Sequence, residues 1–233
     1  MTDLKEVLGQ TQTHLIPIET TTHLAHIETA KDFMSLKGLC EKEGYNLTIH
    51  SSFRSYETQL SIWNAKAKGK RALLDQYGAP LTFSSLSEEE VLFAILRWSA
   101  LPGMSRHHWG TEFDIYDSNS LPCSEYCVEL TPDEVAPQGI FGPLHCFLDQ
   151  LIDHGRSFNF YRPYKDDLGG VSPEKWHLSH YPTANKFLQT LSYEVFENYL
   201  STLNPSQFEL LDLVRAHSKD IYERFVINIH HPK

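Results

Sequence analysis

The chain has 233 residues, of which 41% are hydrophobic and 12% aromatic. A chain of this length and composition can bury a sizeable core as one domain, which excludes a disordered protein. Its formal net charge of -10 leaves no basic excess to neutralise phosphates, so we expect neither nucleic acid nor an anionic membrane as partner.

The N-terminal stretch from Met1 to Gly9 lacks the basic region, apolar region and small-residue cleavage site of a secretory signal. The chain contains no run of about eighteen apolar residues, so we expect no membrane span. These features favour a cytoplasmic protein, with the periplasm as the alternative. For Cys123 and Cys127 we expect reduced thiols, and a disulfide is the alternative in an oxidising compartment.

Three elements are predicted in the first part of the chain. Apolar residues at helical spacing predict an amphipathic helix over 22–43, which Gly44 is placed to end. The alternation over 47–50 predicts a strand, and Ser55 can cap a helix that runs toward Gly69.

The clearest local signal is a capping box formed by Ser87 and Glu90, which predicts the start of another helix. Pro102 and Gly103 end that helix and open a loop. A strand is then predicted around 113–115.

In the second half, scattered Asp, Ser, Asn, Pro and Gly predict a long irregular excursion over 117–140. A helix over 144–152 follows, then strands over 158–164 and 176–178, then mainly helical residues that Pro205 divides. Because helices and strands mix without regular alternation, we expect an α+β domain with an antiparallel sheet and flanking helices.

Two candidate metal ligands lie in the segment Ser-Arg-His-His-Trp-Gly-Thr-Glu-Phe-Asp at 105–114. His107 and Asp114 are separated by Gly110, which allows a sharp turn that brings both side chains to one point. The pattern alone is also compatible with a chance pairing in a chain that has 13 histidines.

A second segment, Glu174-Lys175-Trp176-His177, supplies another imidazole and another carboxylate. On a regular strand Glu174 and His177 would face opposite ways, so they share a site only if the backbone kinks, as Pro173 permits. Two imidazoles with one carboxylate suit a catalytic zinc site that keeps an open position. Taken alone, the segment also fits a surface acid beside a buried core histidine.

Arg54, within Ser51-Ser52-Phe53-Arg54-Ser55, is the candidate anchor for a substrate anion. A guanidinium can bind a carboxylate through two hydrogen bonds or stabilise an oxyanion. The alternative is an ordinary surface salt bridge.

Together these segments resemble the VanY-type D-alanyl-D-alanine carboxypeptidases of the LAS metallopeptidase group (lysostaphin, D-Ala-D-Ala peptidases, sonic hedgehog). The resemblance rests on Ser-x-His-x-x-Gly-x-x-x-Asp, on the later Glu-x-Trp-His, and on Ser-x-Phe-Arg-Ser-x-x-x-Gln upstream. It covers about 25–182. It implies that His107, Asp114 and His177 hold Zn²⁺ and that Glu174 is the general base.

The same resemblance implies that Arg54 stabilises the substrate carbonyl or its tetrahedral intermediate. It also implies that Ser105 and Gln59 line the pocket for the terminal residue and its carboxylate. The chain departs from the family pattern at two places: Lys175 replaces a common Pro, and Thr111-Glu112-Phe113 replace the usual small residues after the glycine.

By resemblance we expect one LAS-like zinc-peptidase domain, with a core at about 22–185 and extra C-terminal helices at about 186–233. The implied function is zinc-dependent removal of a terminal D-alanine, or another D-amino acid, from peptidoglycan-type peptides. The alternatives are an L,D-carboxypeptidase, a D,D-dipeptidase or a murein endopeptidase of the same group, and a non-catalytic zinc-stabilised binding module. Retention of Glu174 and Arg54 favours an enzyme, because a purely structural zinc site needs neither.

Overall fold

The structure is a computed structural model that describes residues 2–18 and 21–232. The strands among these residues are β1 (Leu15–Pro17), β2 (Leu24–His26), β3 (Leu47–Ser51), β4 (Glu112–Asp117), β5 (Phe160–Tyr161) and β6 (His177–His180).

The α-helices of the described residues are α1 (Leu4–Val7), α2 (Ile27–Lys42), α3 (Tyr56–Ala67), α4 (Glu88–Trp98), α5 (Pro132–Val135), α6 (Gly142–Asp153), α7 (Tyr181–Leu188), α8 (Tyr193–Thr202), α9 (Leu211–Ala216) and α10 (Ser218–Ile221). Short 3₁₀ turns occupy Phe83–Ser85, Arg106–Trp109 and Ser118–Ser120, and a π-helical turn occupies Tyr222–Val226. None of the helices in the described ranges has the length and apolarity needed to cross a bilayer.

The main sheet has the strand order β3-β4-β6-β5, and all of its neighbouring strands are antiparallel. In the register of β4 with β6, Asp114 lies opposite His177 and Glu112 lies opposite Ser179. Because side chains alternate along a strand, these four polar side chains share one face of the sheet. A separate two-stranded ribbon is formed by β1 and β2.

The opposite face of the sheet is apolar and is covered by α2 and α6. Phe113 and Ile115 of β4 are fully buried there in a cluster with Leu36 of α2 and Leu148 of α6. The sheet therefore separates an apolar layer from a polar face.

The C-terminal helices share a core with α3 and α4, since Trp63, Leu92, Phe196 and Val214 belong to one buried cluster. The hydroxyl of Tyr199 on α8 donates a hydrogen bond of 2.6 Å to the carbonyl of Pro102. A Cβ added at Gly103 would lie 2.7 Å from the Tyr199 ring. This part of the chain therefore packs directly on the turn that leads into the 105–114 segment.

Several predicted elements are present with altered bounds. The helix predicted over 22–43 begins at Ile27, because the backbone of Leu24 and His26 bonds instead to Phe53 and Gly110. The strand predicted over 158–164 shrinks to β5, since Phe158 and Asn159 both have positive φ.

The predicted capping box of Ser87 and Glu90 is formed at the start of α4. A second capping box, Thr131 with Glu134, starts the short α5 inside the segment predicted to be irregular. The four cysteines are free thiols.

Candidate metal centre and active site

Three side chains converge on the polar face of the sheet, where His107, Asp114 and His177 place one donor atom each within 4.8 Å of one another. Asp114 Oδ2 lies 3.3 Å from His107 Nε2, and Asp114 Oδ1 lies 3.1 Å from His177 Nδ1. Ligand atoms about 2.0–2.2 Å from one zinc ion have similar spacings. The three residues brought together are the three that the sequence motifs predict.

Hydrogen bonds fix which nitrogen of each imidazole faces the centre. His107 Nδ1 lies 2.8 Å from the Ser52 carbonyl, so it carries the proton and leaves Nε2 as the free donor atom. His177 has the opposite arrangement, since Nε2 lies 2.8 Å from Glu112 Oε2 and Nδ1 faces Asp114. Outer partners of this kind orient metal-binding histidines.

The charge states of the ligands follow from their neighbours. Burial lowers the pKa of His107, although Asp114 opposes that effect. Burial also disfavours ionised Asp114, but His107 and His177 outweigh it and hold its pKa well below the usual range. Burial opposes protonation of His177 too, yet its hydrogen bonds to Asp114 and Glu112 raise its pKa to about 10. A cation is therefore favoured at this point, as a proton or as a metal ion.

Gly110 is the turn that makes the convergence possible. It ends the 3₁₀ turn carrying His107 with a φ of 67°, in the left-handed region. A Cβ at this position would lie 2.3 Å from Leu15 and 3.0 Å from the backbone nitrogen of His26. Both the conformation and the available space require glycine.

Glu174 lies beside the three candidate ligands, with Oε2 3.8 Å from His177 Nδ1. The kink that this proximity requires is a turn in which the His177 amide donates to the Glu174 carbonyl. Burial, and to a smaller extent Asp114, raises the pKa of Glu174 to about 7, against the opposing effect of His177, Arg54 and Lys66. A carboxyl with such a pKa can both accept and release a proton near neutrality.

Arg54 is held by neutral groups: it donates to Gln59 Oε1 at 3.0 Å and to Ser51 Oγ at 3.1 Å. Within the described residues no carboxylate forms an ion pair with it. Its positive charge is therefore available to a ligand in the cavity that it lines.

The Arg54 segment is joined to the 105–114 segment through its backbone. The Arg54 amide donates to the His107 carbonyl, and His108 Nδ1 lies 2.6 Å from the Arg54 carbonyl. His108 Nε2 accepts from the Gly103 amide, and burial lowers the pKa of His108 to about 3, so the ring stays neutral. These contacts fix the position of the guanidinium relative to His107.

The two residues predicted to line the substrate pocket differ in position. Ser105 does line the cavity. Gln59 is fully buried, and its amide donates to the Ala100 carbonyl at 2.7 Å while its oxygen accepts from Arg54. Gln59 therefore lies behind Arg54 instead of on the wall, because α3 packs against the end of α4 at this point.

Sequence reasoning missed Glu112 and Lys66. Glu112 is fully buried and bonds His177 from behind. Lys66 lines the same cavity, two helical turns beyond Gln59 on α3. The replacement of a small residue at position 112 was the available signal for Glu112, whereas Lys66 carries no local signal.

The cavity has a volume of about 850 Å³ and is lined in part by all three candidate ligands. Its lining also includes Arg54, Glu174, Tyr77 and Pro132. Volumes of this order suit a peptide end or another ligand of similar size.

The family model of VanY, D-alanyl-D-alanine carboxypeptidase, matches residues 22–183 of this chain. The chain belongs to the VanY family. The expected peptidase class is thereby confirmed. Residues beyond 183 lie outside the match.

Solved structures agree with this assignment at the level of fold. VanYB in complex with D-alanine-D-alanine is 21% identical, with a TM-score of 0.52, over 84% of this chain and 92% of that chain. The predicted α+β, LAS-like fold is thus confirmed.

Two curated relatives come from Haemophilus influenzae, and both are described as uncharacterized proteins. One is 38% identical over 96 residues, which is 40% of this chain and 66% of that protein. The other is 31% identical over 131 residues, which is 53% of this chain and 90% of that protein.

The buried position of Gln59 leads to a test of its role. In Gln59→Leu, Arg54 loses one hydrogen-bond acceptor, so we expect kcat of a peptidase assay to fall about tenfold, a loss of about 1–2 kcal/mol. KM should stay within about twofold, since Gln59 does not reach the cavity. Steady-state kinetics measures both values.

The matched control is Glu57→Gln, an exposed position on the same helix. Its kinetics should equal those of the unaltered chain. If Gln59→Leu raised KM and left kcat intact, Gln59 would contact substrate after all, as the family resemblance implied.

Proposed function

We propose that this chain is a zinc-dependent carboxypeptidase that removes a terminal D-alanine from peptidoglycan-type peptides. The observation that carries the proposal is the placement of Glu174, Arg54 and the His107/Asp114/His177 cluster on one cavity. Family membership supports the peptidase chemistry, and the donor set of two imidazoles and one carboxylate supports zinc.

His107 Nε2, His177 Nδ1 and Asp114 would hold the ion. A bound zinc ion supplies Lewis-acid polarisation of the scissile carbonyl and lowers the pKa of water from 15.7 to about 7 in favourable sites. A site with only three protein ligands keeps a position open to water and substrate, unlike a closed structural site.

Glu174 moves the proton. Its carboxylate takes a proton from the attacking water, and its carboxylic acid then delivers that proton to the leaving amine of the terminal residue. The raised pKa of Glu174, caused mainly by burial, makes its carboxylate a better acceptor for the proton of the attacking water. A pKa of about 7 still lets the carboxylic acid give that proton to the more basic leaving amine. No other carboxylate of the described chain both faces the cavity and adjoins the three ligands without being one of them.

Arg54 stabilises negative charge. Because its partners Gln59 and Ser51 are neutral, its guanidinium retains a full positive charge toward the cavity. This charge can stabilise the oxyanion of the tetrahedral intermediate, where preorganised donors contribute most.

A second cation, Lys66, faces the same cavity and supports an anionic substrate end. Its side chain is partly buried, and within the described residues it forms neither an ion pair nor a hydrogen bond. A half-buried ammonium without a partner loses part of its hydration, so a ligand carboxylate is favoured beside it. The free carboxylate of a peptide C-terminus has the required charge.

Release of one D-alanine from a peptide ending in D-Ala-D-Ala tests the function directly. We expect the zinc-loaded chain to release one residue, identified by mass, and to leave a peptide ending in D-Ala-L-Ala intact. In Glu174→Gln the rate should fall about 10²–10⁴-fold, the usual contribution of a general base. Zinc content should not change, because Glu174 is not a ligand.

The control is Glu129→Gln, which removes one negative charge from an exposed residue of the same cavity. Its rate should stay near that of the unaltered chain. A zinc-loaded Glu174→Gln protein with undiminished turnover contradicts the assigned base. Hydrolysis of free D-Ala-D-Ala, but not of the longer peptide, identifies a D,D-dipeptidase. Removal of a terminal D-residue only where the preceding residue is an L-residue identifies an L,D-carboxypeptidase.

Lys66 leads to a pH-dependent prediction. Burial lowers its pKa to about 8, with Glu174 opposing and with Arg71 and Arg54 adding to the effect. The ammonium is therefore charged below about pH 8 and neutral above it, so kcat/KM should decline as pH rises through this value. In Lys66→Arg the charge persists, and the decline should disappear.

Lys66→Met is the complementary variant. It should raise KM about tenfold or more at neutral pH, because a hydrogen bond to a charged group contributes about 1.5–3 kcal/mol. An identical decline above pH 8 in the unaltered chain and in Lys66→Arg would show that another group titrates.

A further inference from the structure

A buried acid lies directly behind one of the candidate metal ligands, at a position where the family pattern has a small residue. Glu112 opens β4, is fully buried, and points to the same side of the sheet as Asp114. Its Oε2 lies 2.8 Å from His177 Nε2. The imidazole of His177 is therefore held between two carboxylates, one at each nitrogen.

The register of β4 with β6 sets this arrangement. Asp114 lies opposite His177, and Glu112 lies opposite Ser179, two residues further along the same face. Glu112 therefore reaches His177 along the diagonal of a two-by-two block of side chains. Long side chains make such diagonal contacts on one face of a sheet.

The carboxylate of Glu112 is itself fixed by several donors. Oε1 accepts from Arg106 Nη2 at 3.1 Å, from Ser179 Oγ at 2.8 Å and from Thr111 Oγ1 at 2.9 Å. Arg106 Nη2 also donates to Ser179 Oγ and to the Tyr161 hydroxyl. These contacts leave Oε2 free to accept from His177.

We propose that Glu112, held by Arg106, is a positioning residue that increases the metal affinity of the site by fixing His177. His177 Nε2 donates its proton to Glu112, so Nδ1 is the nitrogen that faces the shared centre and can bind an ion there. The carboxylate also increases the electron density of the ring and hence its strength as a donor. The inference rests on the proposed metal site and adds a pair of residues that support it.

Arg106 is the second residue of this supporting pair. Glu112, Asp114 and Glu174 would place three acidic groups around one imidazole, and the buried guanidinium of Arg106 offsets one of their charges. Arg106 Nε and Nη1 have no partner among the described residues, so the side chain makes all of its hydrogen bonds through Nη2. Its guanidinium also lies 4.7 Å from the centre of the Trp109 ring, which favours a cation.

A structural role alone is the competing explanation, because the Arg106–Glu112 pair links the 3₁₀ turn at Arg106–Trp109 to β4. A purely structural pair would affect the free energy of unfolding and leave the metal affinity unchanged. The zinc dissociation constant therefore distinguishes the two explanations.

The test compares zinc dissociation constants, measured by competition with a chelator, for the unaltered chain, Glu112→Gln and Phe113→Leu. Phe113 is the neighbour on the apolar face of the same strand, and its ring centroid lies 4.7 Å from that of Phe33. We expect Glu112→Gln to weaken zinc binding about 10–100-fold. Phe113→Leu keeps an apolar side chain, and hence the strand register, so it should lower stability without weakening zinc binding. The visible spectrum of the Co²⁺-substituted protein should change in Glu112→Gln only.

Because Glu112→Gln leaves Arg106 unpaired and can impair folding, Arg106→Met/Glu112→Gln provides a second measurement. Its zinc affinity should be weakened by a similar factor, since the carboxylate is still absent. Zinc affinity within twofold of the unaltered chain, in whichever of the two variants folds, overturns the proposal. A chain that binds zinc with this dependence on Glu112 but cleaves no peptide overturns only the proposed function, and a chain without zinc affinity overturns both.

Discussion

The antiparallel pairing of β4 with β6 is the constraint on which the site depends. It places Asp114 opposite His177 and Glu112 opposite Ser179 on the polar face. A slip of one residue would turn the polar side chains of the shifted strand into the apolar layer under α2 and α6. Because Phe113 and Leu178 are fully buried in that layer, the apolar core holds the register that the metal site requires.

Around this pairing, two connections deliver the remaining groups. The turn at Gly110 brings His107 back toward Asp114. The Arg54 amide donates to the His107 carbonyl and the Arg54 carbonyl accepts from His108, which holds Arg54 beside them. The C-terminal helices contribute from outside the family match, because Tyr199 fixes the turn before the 105–114 segment. The candidate ligands, the proposed base and the proposed anion anchor are thus positioned by several separate elements of the fold.

His107, Asp114, His177, Glu174 and Arg54 could be named because their motifs, in this order, resemble those of a known family, whereas each motif alone left a chance pairing or a surface role open. The structure places these five residues on one cavity. The structure departs from expectation where hydrogen bonds between different segments of the fold determine the position of a side chain. Gln59 is buried behind Arg54, and Glu112 reaches His177 diagonally across two strands. Element bounds failed for the same reason, since Leu24 and His26 bond to the distant Phe53 and Gly110, and β5 is limited to the two residues that pair with β6.

Anomalous diffraction at the zinc absorption edge, on crystals of the zinc-loaded chain, would locate the ion directly. We expect one peak bounded by His107 Nε2, His177 Nδ1 and an Asp114 oxygen, at ligand distances of about 2.0–2.2 Å. We also expect His177 Nε2 to remain hydrogen-bonded to Glu112. A peak at another place, or coordination of His177 through Nε2, would show that the metal site is assigned wrongly.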